Sequence, residues 1–83
     1  MYDDYFLSVH FEIASAVSNM VADEVSLIAL GVFENQGSLG LYRLTKELTE
    51  EYVNLHSKSE LDRELLEQFI NEKLISDEEV SPE

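Results

Sequence analysis

The chain has 83 residues, of which 45% are hydrophobic, enough for one small domain with a core and too many for a disordered chain. It carries 18 Asp and Glu against 5 Lys and Arg, a formal charge of −13, which repels nucleic acid and anionic lipid at long range and favours basic partners. It has no cysteine, which excludes disulfides and thiolate metal sites and suits a reducing, cytoplasmic setting.

The first element is expected from about Asp4 to Val21. Phe6, Val9, Ile13, Ala16, Val17, Met20 and Val21 recur at helical spacing, with Ser8, Glu12, Ser15 and Asn19 opposite. Leu7, Val9, Phe11 and Ile13 also alternate with Ser8, His10 and Glu12, which is a strand pattern. The run without Gly or Pro, followed by Ala14-Ser15-Ala16, favours helix. No basic stretch precedes an apolar run here, so no signal peptide is expected. No apolar segment approaches the ~20 residues of a membrane span, so no membrane partner is expected either.

Asp23 is the expected N-cap of a second helix, because its carboxylate can accept orphan backbone amides. Val25, Ile28, Ala29, Val32 and Phe33 form its apolar stripe. Asn35-Gln36-Gly37-Ser38 ends it, with Gly37 at the turn. A third helix is expected from about Leu41 to Leu55, capped by Ser38 or Gly40. Leu41, Leu44, Leu48, Tyr52 and Leu55 line its buried side, and His56-Ser57 breaks it.

Ser57-Lys58-Ser59-Glu60 has the spacing of a capping box and predicts the start of a fourth helix. Leu61, Leu65, Leu66, Phe69, Ile70 and Leu74 are its buried stripe, and it ends near Leu74 or Ile75. Residues 77–83 are an acidic tail.

Residues 25–76 thus follow the order helix, Gly-turn, helix, short break, helix. The stretch SLIALGVFENQGSLGLYRLTKEL resembles the opening of a winged-helix regulator. The stretch SKSELDRELLEQFINEKLIS resembles a recognition helix with its exit into the wing. The resemblance covers about two thirds of the chain and lies in apolar spacing. It implies an all-α domain of four small helices over residues 1–76. Residues 1–22 would be an N-terminal helix and residues 25–76 a helix-turn-helix, winged-helix-like core without a developed wing. It also implies a DNA-reading helix from Lys58 to Leu74. Lys58, Ser59, Asp62 and Arg63 would then lie where such a helix meets DNA, and Arg43 and Lys46 could hold a flanking phosphate.

Charge points to another partner. The solvent side of that helix presents Glu60, Asp62, Glu64, Glu67 and Glu72 against Lys58, Arg63 and Lys73. Carboxylates facing phosphates weaken binding. Glu60, Glu64 and Glu67 fall at i, i+4 and i+7, and Glu47, Glu50 and Glu51 can extend the row. Such a display resembles proteins that imitate the DNA backbone to occupy a basic cleft. The function expected first is therefore protein contact, as a regulatory adaptor or inhibitor of a basic, nucleic-acid-handling protein. A dimeric DNA-binding transcription regulator is the alternative, and a structural subunit of a larger assembly the third. Tyr2, Tyr5, Phe6, Leu7 and Phe11 mark a candidate homodimer surface, with packing inside the chain as the competing role.

Enzymatic chemistry is not expected, nor a cofactor or metal. His10 and His56 have no metal-ligand spacing, and there is no calcium loop, nucleotide-binding glycine motif or base beside a Ser or Thr.

Overall fold

Tyr5, Val9, Ile13, Val17 and Met20 repeat every three or four residues and form the buried stripe of helix α1, Asp4–Ala22. The structure is a computed structural model that describes residues 4–57 and 60–75. The strand alternation loses because it would bury Leu7 and Phe11, which lie in solvent at 56% and 67% exposure. Tyr5 takes the core position expected of Phe6, which is half-buried.

α1 closes in a Schellman arrangement. The Val25 amide donates to the Met20 carbonyl at 2.9 Å and the Glu24 amide to the Val21 carbonyl at 3.2 Å. Glu24 sits in the left-handed region at φ 57°. This corrects the expected cap of the next helix. Asp23 and Glu24 are consumed in ending α1, so Ser26 is the first residue available. Its hydroxyl accepts from the Ala29 amide at 3.1 Å, and α2 runs Leu27–Leu55. The chain turns by 89° between α1 and α2.

The expected polar turn falls inside α2 and divides it into two helical arms. The α2 backbone leaves helical values at Gly37 alone, at φ 73° and ψ −158°, and resumes at once. That combination is open essentially to glycine only. The bend brings Gly40 against Gln36 and Val32, where a Cβ would find no room. Past the bend, α2 runs antiparallel to α1. Tyr5 meets His56 at one end, and Ser18 shares a surface depression with Ser38 at the other.

The third helix also starts later than expected. α3 spans Arg63–Ile70, and its cap is Asp62, whose carboxylate accepts from the Glu64 and Leu65 amides at 3.1 and 3.2 Å. Ser57, the expected cap, donates to the Val53 carbonyl at 3.4 Å and belongs to the end of α2. A π-helical turn, Asn71–Ile75, follows α3.

The described residues form a compact all-α domain of three helices, with no strand among them. The expected second and third helices follow one another directly as the two arms of α2, with the non-helical Gly37 alone between them. α1 packs mainly on α2, while α3 and its π-turn close the side. Leu48, Tyr52, Leu66, Phe69, Ile70 and Leu74 join the α1 stripe in the core. Thr49 is fully buried there and satisfies its hydroxyl on the Thr45 carbonyl at 2.8 Å. Leu55, expected in the core, is exposed, as are Val25 and Phe33 of the second stripe. No single helix among the described residues is long and apolar enough to cross a membrane.

Candidate interaction surface

The start of α3 is where the two functional expectations meet. The Asp62 carboxylate occupies the first free amides of the helix, those of Glu64 and Leu65. Those amides are the groups that would otherwise receive a phosphate. Arg63 extends across to α1, its guanidinium 3.1 Å from the Glu12 carboxylate. Its side chain stays 71% exposed, so the pair is solvent-screened and contributes little to stability. Glu12 and Arg63 line two adjoining depressions. One includes Leu7, Phe11 and Leu61, the other Ser15, Leu66 and Glu67.

Of the expected acidic row, Glu47, Glu50, Glu51, Glu60, Glu64 and Glu67 are all exposed. They do not form one helical row. Glu60 lies in the segment before α3, so helical register joins only Glu64 and Glu67. Glu51 is held by Lys73 at 2.7 Å, and Lys73 also stands 5.9 Å from the centre of the Phe69 ring. Glu47 borders a different depression, with Val32, Gln36 and Arg43. The acidity is spread over the α2 and α3 surfaces.

Of the cations expected to meet DNA, Arg43 and Lys46 are exposed on α2, and Arg63 carries the contact to Glu12. Lys58, Ser59 and Tyr2 lie outside the described residues, as does the tail over 77–83. The expected dimer residues divide. Tyr5 is buried and donates its hydroxyl to the His56 carbonyl at 2.8 Å, an intramolecular role. Leu7 and Phe11 face solvent.

Neither histidine stands with metal-ligand neighbours. His10 stacks on Phe6 at 6.4 Å between ring centres and meets Tyr42 edge-on at 5.8 Å, while its buried Nδ1 has no hydrogen-bond partner. Among the described residues no three His, Asp or Glu side chains converge as metal ligands do. Tyr52 donates to the Asp62 carbonyl at 3.2 Å. Burial, then the neighbouring Tyr5 and Asp62, raises its phenol above the ordinary tyrosine value.

Two contributors escaped the sequence patterns. Glu12 looked like one polar residue on the outer side of α1, and nothing local tied it to Arg63. Asp62 did carry a signal, an Asp directly before a helical stripe, but the Ser57–Glu60 spacing competed with it. Comparison with protein-family models, curated proteins and solved structures finds no match to this chain.

Proposed function

We propose that this is a small, non-catalytic regulatory protein that acts by contact with a basic protein, as an adaptor or inhibitor of a nucleic-acid-handling partner. The observation that supports this reading is the chemistry at the start of α3. The amides there are taken by Asp62, the Arg63 guanidinium stands beside Glu12, and the exposed charged side chains that follow in α3 are Glu64 and Glu67. That end of α3 offers carboxylates to a cationic surface and little to a phosphate. Steering by the −13 charge would speed encounter with such a partner and weaken as salt rises.

The test is affinity capture from cell extract on the immobilised chain, with salt elution, beside a Glu64→Lys/Glu67→Lys variant. The reading expects a basic protein released by salt and absent from the variant. Capture that ignores both salt and the double reversal counts against it.

A dimeric DNA-binding regulator is the second reading. It takes the Gly37 bend as the turn between two helices, 27–36 and 38–55, so that with α1 and α3 the chain has four helices around a helix-turn-helix core. Arg43 and Lys46, exposed on the second of these segments, favour it. A structural subunit is the third, drawing on the exposed Leu7 and Phe11.

A further inference from the structure

Between Glu24 and Lys46 the chain carries one carboxylate, Glu34, and one guanidinium, Arg43. Residues 25–45 are therefore neutral in a chain of charge −13. The same stretch holds the unbroken run LIALGVF, at residues 27–33. A helix apolar around its whole circumference needs neighbours on more than one side. Of that run only Ala29 is buried. Phe33 is 42% exposed and Leu39 59% exposed, and Val25 and Tyr42 are exposed as well. The Gly37 bend makes an elbow of this stretch, with Val32, Gln36, Gly40 and Leu44 around a shallow depression that one cation, Arg43, and one carboxylate, Glu47, also border.

We propose that this elbow is the interface between two copies of the chain, an isologous dimer built on the 27–36 arm of α2 and the residues just past Gly37. The charge distribution selects a second copy. Two chains of −13 repel wherever their carboxylates face each other, and residues 25–45 let them meet without that cost. A basic protein or a nucleic acid finds almost no charge to pair with here, whereas a second copy brings the same neutral, apolar face. Self-association by the elbow leaves Glu64 and Glu67 of α3 in solvent. It does not depend on the identity of any other partner.

Sedimentation equilibrium of the full chain, from micromolar to sub-millimolar concentration and at low and high salt, tests this. The expected result is twice the monomer mass, with association strengthened by salt because salt screens the like charges. Phe33→Lys and Leu39→Lys should each weaken association roughly tenfold or more while keeping the helical circular-dichroism signal. Two separate variants at exposed sites guard against one failing to fold. A monomer at every concentration in high salt overturns the proposal. So does a dimer that survives both variants and is lost in Leu7→Lys or Phe11→Lys. A monomer whose elbow becomes protected only on adding phosphatidylcholine vesicles overturns it too.

Discussion

Tyr52 donates its hydroxyl to the backbone carbonyl of Asp62, the residue whose carboxylate caps α3. One side chain near the end of α2 thus holds the residue at which α3 begins. Tyr5, from α1, does the same for the end of α2 through the His56 carbonyl. The two phenols bracket the connection between α2 and α3.

The raised phenol of Tyr52 makes stability sensitive to alkali. Its folded value lies above the unfolded one, so its contribution is complete below about pH 10 and is lost as pH rises through the folded value. Urea melts should lose the Tyr52 contribution above pH ~10. Tyr52→Phe should cost about 1 kcal/mol at neutral pH and reduce the alkaline fall. An unchanged alkaline slope in Tyr52→Phe would assign the fall to other groups.

Asp62 and Ser57 make opposite predictions for the start of α3. Asp62→Ala removes the acceptor of two amides and should cost about 1 kcal/mol, within a range of roughly 0.5–2. Ser57→Ala, whose hydroxyl makes only a 3.4 Å contact to the Val53 carbonyl, should stay within about 0.5 kcal/mol. The reverse ranking in chemical melts would restore the capping box.

Glu24 and Gly37 are the two positive-φ positions among the described residues. Glu24→Gly relieves a side chain from the left-handed region and should stabilise by up to about 1 kcal/mol. Gly37→Ala should destabilise by about 1–3 kcal/mol, because its conformation is closed to a Cβ. Thermal melts of the two variants should move in opposite directions.

His10→Phe keeps the stack between Phe6 and Tyr42 and removes a buried nitrogen without a partner. It should leave the protein as stable or up to about 1 kcal/mol more stable. A large loss of stability would mean that Nδ1 has a partner in solution, such as a bound water.

Helix periodicity made α1 legible, because its partners lie along one side and the stripe needed only a shift from Phe6 to Tyr5. On the first arm of α2 it held for Ala29, which is buried, and for Ile28, which packs on the core, but not for the whole stripe. Spacing identifies an apolar face but not whether the domain is large enough to cover it, and here Val25 and Phe33 stay in solvent. The caps were misplaced because neighbouring residues compete for them. Asp23 was a sound N-cap by type, yet the left-handed Glu24 drew it into the end of α1, and glutamate gives no local sign of that conformation. Candidate site residues fared by range. Exposed glutamates on helices were readable one by one. The Arg63–Glu12 contact, between residues 51 positions apart, depends on tertiary packing and left no trace in local pattern.

A low-salt titration of labelled duplex DNA with the purified chain tests the central claim most directly. No saturable binding is expected, because Asp62 occupies the first free amides of α3 and the helix surface that follows presents Glu64 and Glu67. Saturable binding that falls steeply with salt and is weakened by Arg63→Ala would contradict it and make the chain a DNA-binding regulator.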